Sequence, residues 1–227
     1  MWRARPDSSK TRVSNRGNND PGRKDVPGKR EAAMYKLANP APLGLAGFAL
    51  TTWMLSMVNA GWYLPTGVPL VLALAFAFGG AAQFCAGLLE LPRGNTFGFV
   101  AFCSYGAFWW SFALFVLFFS AHVPGAFVGW YLFMWGVFTF YMWIGSLALT
   151  RAVSYVFLAL WITFLLLALG AWGITEATMI GGYTGLVTAF IAFYVSAAEI
   201  INETHGHVVL PLGVRLPPND IRNAQVI

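Results

Sequence analysis

The sequence predicts an all-α membrane protein, with six transmembrane helices and both termini cytoplasmic. Three observations carry this expectation. Hydrophobic residues make up 58% of the 227 and charged ones only 10%, whereas a soluble domain carries about 25% charged residues. Six apolar stretches, at about 42–59, 67–91, 97–120, 125–149, 152–173 and 178–200, each approach the ~20 residues a helix needs to cross the hydrocarbon. On that six-span path every Lys and Arg falls on one side, and the cytoplasmic side is the one that collects positive charge.

The chain opens with residues 1–36, rich in Arg, Lys, Asp, Asn, Gly and Pro, which predict a disordered basic cytoplasmic tail. Ten of the fourteen Lys and Arg lie within residues 1–38 beside four acids. The net charge of +5 therefore belongs to this tail and gives no sign of nucleic-acid binding. Its run Arg23, Lys24, Lys29, Arg30 and Lys36 suits anionic lipid heads, or a solvated tail that only sets topology. The transmembrane domain is expected over 37–213 and a cytoplasmic C-terminal tail over 214–227.

The first helix starts at Asn39-Pro40. An asparagine side chain can accept a first-turn N–H, and proline fits the first helical position, where its missing N–H has no partner to lose. The breaks between spans carry turn chemistry: Pro65-Thr-Gly67, Pro92-Arg-Gly94, Pro124-Gly125, Arg151, and Gly173 through Thr178. The second span places Gly79, Gln83 and Gly87 at intervals of four. The sixth lines up Gly181, Gly185, Thr188, Ala192, Ser196 and Glu199 on one narrow face. Small residues mark close helix packing in lipid. Three plus three spans permit an inverted repeat, but the halves show no convincing sequence match.

Candidate functional residues come from the polar groups inside these spans. Phe48, Thr52, Ser56 and Asn59 share one face of the first helix, with Thr51 at its margin. Such a stripe either hydrogen-bonds between helices, for about 1 kcal/mol each, or walls a polar path. Gln83, mid-span in the next helix, favours the path. Glu90 and Glu199 lie near cytoplasmic helix ends, where acids must be paired or wet. Pairing with Arg93 or hydration is the plainer reading, and proton coupling the sharper one. Glu176 opens the sixth helix, where an acid suits the dipole. No Lys or Arg lies within a span, so an anion would meet hydroxyls, amides and helix N-termini. Two such termini, Asn39-Pro40 and Asn95-Thr96, fall on one side. Neutral donors of this kind hold a small carboxylate weakly and favour passage over capture.

Catalysis is not indicated. His122, His205 and His207 lie in loops or past the last span, and Cys85 and Cys103 lie in apolar runs without metal spacing. No nucleotide-binding glycine loop occurs, so no enzyme activity, cofactor or metal is expected.

Asn39-Pro-Ala-Pro-Leu-Gly-Leu45, then Gly47-Phe48 and Thr51-Thr52, resembles the opening signature of the acetate uptake transporter family, the succinate–acetate permeases. Arg93-Gly-Asn-Thr-Phe-Gly98, Ser104-Tyr-Gly-Ala-Phe-Trp109, Trp135-Gly-Val-Phe-Thr139, Asn202-Glu203 and Val209-Leu-Pro-Leu-Gly213 follow the family pattern in order. The resemblance implies a urea-channel-like bundle, a homo-oligomer of hexameric form, and a pathway for acetate and related short carboxylates in each protomer. It also implies a hydrophobic constriction: Phe48 and Tyr105 by close motif match, and Leu160 by its count of nine residues past Arg151. Ser56 departs from the bacterial pattern, which has asparagine there. The expectation is a multi-pass plasma-membrane protein that moves acetate, and succinate if it fits, as a channel or proton-coupled permease. A passive channel for neutral amides such as urea, or a membrane sensor that transports nothing, are the alternatives.

Overall fold

The computed structural model describes residues 37–214. The expected basic tail at 1–36, its lipid-facing run, and all but Val214 of the expected C-terminal tail lie outside the described residues.

Six apolar helices are each long enough to cross a bilayer: α1 (Ala41–Asn59), α2 (Pro65–Arg93), α3 (Thr96–His122), α4 (Gly125–Ser146), α5 (Arg151–Ala171) and α6 (Thr175–His205). Packing places α1 between α6 and α2, with α5 against α6, α4 against α5 and α3 against α2. Aromatic rings close the bundle between α3 and α4. Tyr105 and Phe108 meet Trp135, with ring centroids 6.0 and 5.1 Å apart.

Three boundaries differ from the sequence expectation, each for a local reason. The last helix is longer than 178–200: it begins at Thr175, after Gly173 at φ 109°, and runs until Gly206 at φ 70° ends it. Glu176 sits in its first turn as expected, but Glu199 is a turn and a half inside the helix rather than at its end. The fourth helix stops at Ser146, and Arg151 opens α5 instead of marking a break. Thr150 caps α5 by accepting the Val153 N–H at 3.3 Å, while Leu212 O and Gly213 O accept from Ala152 and Arg151. The motif Val209–Gly213 is therefore a strap over the start of α5. The strap is held by Asn202, whose Oδ1 accepts the N–H groups of Val209 and Leu210.

The second helix is not a uniform α-helix. Residues Ala77–Ala82 form a π-helical segment, so the regular four-residue spacing of Gly79, Gln83 and Gly87 is interrupted. A wide turn loosens the backbone ladder, and the Phe76 carbonyl accepts the Trp110 indole N–H at 3.1 Å. Gly47 of α1 approaches this segment closely, since a Cβ there would lie 2.5 Å from the Phe78 oxygen.

Candidate functional site: a cavity closed by an aromatic collar

A cavity of about 240 Å³ opens among α1, α2, α3, α5 and α6, at the end of the bundle that holds both described termini. The start of α1 is fixed there by α6. Asn39 donates its side-chain N–H to Glu199 at 2.9 Å, and Ser196 donates to the Pro42 carbonyl at 2.7 Å. The helix cap differs by one position from the sequence reading. Pro40 occupies the N-cap and Asn39 precedes it, accepting the Ala41 N–H at 3.2 Å. Proline has no side-chain acceptor, so the asparagine reaches over it. Gly44 in the same motif is needed because the Phe102 ring lies where a Cβ would be, at 2.6 to 2.8 Å.

Phe48, Tyr105 and Leu160 are brought together at the inner end of this cavity, all three buried. The rings of Phe48 and Tyr105 stand 5.8 Å apart, and Phe157 joins them at 6.1 Å from Tyr105. Tyr105 OH lies 2.9 Å from Thr139 Oγ1, whose own proton goes to the Trp135 carbonyl at 2.7 Å. Thr139 must then accept, so Tyr105 donates and has no proton left for a solute. This collar offers apolar walls and no free donor.

Polar groups are confined to the rest of the cavity. Gln83, only 1% exposed, lines it, and its Oε1 has no hydrogen-bond partner. Asn95 lines the mouth and caps α3, accepting the Gly98 N–H at 3.0 Å. Thr150 and Glu199 complete the polar lining, and among the described residues no Lys or Arg lines it. The N-terminal ends of α1, α3 and α5 contribute Ala41, Gly98 and Val153 to the same wall. Three positive dipole ends therefore converge on one opening.

Other expected residues sit elsewhere. Thr96 is exposed and outside the lining. Thr51, Thr52 and Ser56 are buried but also outside it. Thr51 donates to Gly47 O at 2.9 Å and packs on Gly79; Ser56 packs on Gly185; Thr52 Oγ1 has no partner. Glu90 is 1% exposed and so is not hydrated at an interface. Its Oε2 takes Arg93 Nε at 3.3 Å and Asn95 Nδ2 at 3.0 Å, while Oε1 is unpartnered. Thr150 carries no sequence signal of its role, and Thr139 stands out only as the end of the Trp135 motif, because a hydroxyl in an apolar run carries no signal of its partner. A second hydroxyl group was also hidden: Thr163 meets Thr184 at 2.9 Å and Thr188 at 3.5 Å between α5 and α6. Among the described residues no group of His, Cys, Asp and Glu could hold a metal ion.

A six-span bundle with a mainly apolar cavity, which carries a few polar side chains and ends on an apolar collar, suits a membrane transport protein. The chain belongs to the GPR1/FUN34/yaaH family, whose model matches residues 22–217. That family groups transporters and channels, not enzymes. The chain is 43% identical over 183 residues to the succinate-acetate/proton symporter SatP of Escherichia coli K12, covering 78% of this chain and 96% of that one. It is 37% identical over 203 residues to acetate permease A of Emericella nidulans, covering 78% of this chain and 66% of the relative. The solved structure of the bacterial acetate channel SatP superposes with a TM-score of 0.75 at 42% identity, over 78% of this chain and 100% of that one.

Proposed function

We propose that this protein carries acetate and related small carboxylates, succinate among them, through a narrow path in each protomer. One observation carries the reading: three helix N-termini and neutral amides face a small cavity that ends on the Phe48, Tyr105 and Leu160 collar. Dipole ends attract an anion without the tight hold of a fixed cation. Asn39, Gln83, Asn95 and Thr96 belong to the approach on this side. Thr51, Thr52 and Ser56 would act only in the far half of the path. A succinate-acetate/proton symporter and an acetate permease among its relatives support a carboxylate substrate.

In this reading both termini face the cytoplasm of a plasma-membrane protein, because the positive-inside rule places Arg93 and Arg151 there. The chains assemble as a hexamer, as the family resemblance implies. Labelling of a cysteine at position 93 from outside intact cells would overturn the orientation. Flux in proteoliposomes tests the function. Labelled acetate should enter faster than into protein-free vesicles, while urea should not. Fast urea entry would support a neutral-amide channel, and entry of neither a sensor.

A further inference from the structure

We infer that Glu199 exchanges a proton with the carboxylate in the cavity, so that the solute crosses the collar as the neutral acid. The inference rests on the transport reading above and assigns it a residue. Two features of the geometry lead to it. The collar has no donor to spare, because the Tyr105 hydroxyl is committed to Thr139 and Thr139 to the Trp135 carbonyl. A bare carboxylate passing such walls loses its hydration without replacement, which strongly disfavours the charged form. Among the described residues, Glu199 is also the only carboxyl group that lines the cavity, and no Lys or Arg lines it.

The placement of Glu199 suits the exchange. Its Oε2 accepts from Asn39 at the start of α1, which holds the side chain at the mouth on one oxygen. The charged groups that act on it are Glu90 and Arg93 of α2 and Glu203 of α6. Asn39, ahead of α1, and the cap residues of α3 and α5, Asn95 and Thr150, do not titrate. Glu90 is the rival, but it does not line the cavity and its Oε2 is engaged by Arg93 and Asn95. The step balances. The Glu199 O–H bond breaks as an O–H bond forms on the incoming carboxylate, leaving a neutral acid and a glutamate anion. A hydronium ion or buffer acid at the terminal end then gives its proton to the Glu199 carboxylate and restores the carboxyl. Gln83, beyond Glu199 towards the collar, can accept from and donate to the neutral acid at once.

Proteoliposomes holding the full chain, with protein-free vesicles subtracted, provide the test. Glu199→Gln keeps an acceptor for Asn39 but cannot give up a proton. Acetate flux through it should fall by about tenfold or more near pH 7. It should recover towards the wild-type rate near pH 5, where a carboxylic acid of pKa about 4 to 5 supplies its own proton more often. A fall by the same factor at both pH values would mean a structural role and overturn the inference, as would no fall at either. A measurement on the unaltered protein guards against a variant that fails to fold. With potassium and valinomycin setting the membrane potential, wild-type acetate flux should not respond to its sign. Flux that follows the potential as a monovalent anion does would also overturn the inference while leaving acetate transport intact. Acetate flux no faster than in protein-free vesicles would sink the transport reading itself.

Discussion

The mouth of the cavity and the seam where α1 meets its neighbours are both rich in polar side chains, yet they use them differently. In the seam and across α5 and α6, several hydroxyls turn back on their own helices, although Thr52 Oγ1 has no partner, Ser196 crosses to Pro42 O and Thr163 also meets Thr184. Thr51 donates to Gly47 O, Thr163 to Ala159 O and Thr188 to Thr184 O, each one turn earlier. A hydroxyl has a single proton, so these groups are satisfied locally and mainly fill space beside glycines. At the mouth, amides and carboxyls reach between elements. Asn39 bridges 160 residues to Glu199, and Asn95 joins Glu90 to the α3 backbone. An amide has two donors and two acceptor sites, more than its own backbone takes up. The difference separates groups that hold the bundle together from groups that can meet a solute.

The largest effect that would test this division is at the seam. A Cβ on Gly182 would meet the backbone of α1, at 2.6 Å from the Asn59 carbonyl carbon, so Gly182→Ala must push two helices apart. Overpacking of this kind costs about 1–3 kcal/mol, and the folded, monodisperse fraction in size-exclusion chromatography should drop sharply. Gly136→Ala is the control, since its Cβ would stand 3.5 Å from Leu165 and Phe164, an ordinary contact. Equal yields of the two variants would show that the seam is not close-packed in lipid.

A smaller effect is expected at the collar. Leu160→Ala removes three carbons from a wall of the cavity without changing charge. The ratio of lactate to acetate flux should rise by about threefold to tenfold, at or below the discrimination that one methylene gives in a closed apolar pocket. If Leu160 only packs, stability falls and the ratio stays constant. Both fluxes measured in one preparation, normalised to inserted protein, decide the matter.

Much of this architecture was legible in the sequence because lipid imposes simple rules. Apolar length gave six spans, and small residues such as Gly181 and Gly185 marked a face that is indeed buried. The motif starting at Asn39 pointed to a functional helix entry, and the entry does border the cavity through Ala41 and Leu45. Less legible were features that depend on partners far away in the chain. The π-helical turn at Ala77–Ala82 leaves no clear trace in composition, and it shifts the register of Gln83 relative to Gly79. The polar stripe of α1 was visible, but its facing was not. Periodicity says which residues share a face and not whether glycine, lipid or a cavity lies opposite. Thr51 and Ser56 meet Gly79 and Gly185, so their small size matters there more than their hydroxyls.

Thr51→Val tests that last point with the smallest expected effect. Valine keeps the β-branched shape that packs on Gly79, where a Cβ would stand 2.8 Å from Thr51 Cβ. It removes only the hydroxyl that donates to Gly47 O at 2.9 Å. That carbonyl also receives the helix N–H from one turn on, so no buried acceptor is left empty by the change. Hydrogen bonds between side chains and backbone in lipid contribute about 1 kcal/mol or less. Melting in detergent should therefore shift little, and acetate flux should stay within about twofold of wild type. Gln83→Leu in the same assay is the counterpart from the cavity. It swaps a partnerless amide oxygen for an apolar group, so it should improve packing while lowering flux. A folded Thr51→Val protein with flux as low as Gln83→Leu would show that the α1 hydroxyls do contact the solute. The seam would then be part of the pathway, and the division between packing hydroxyls and solute-facing amides would fail.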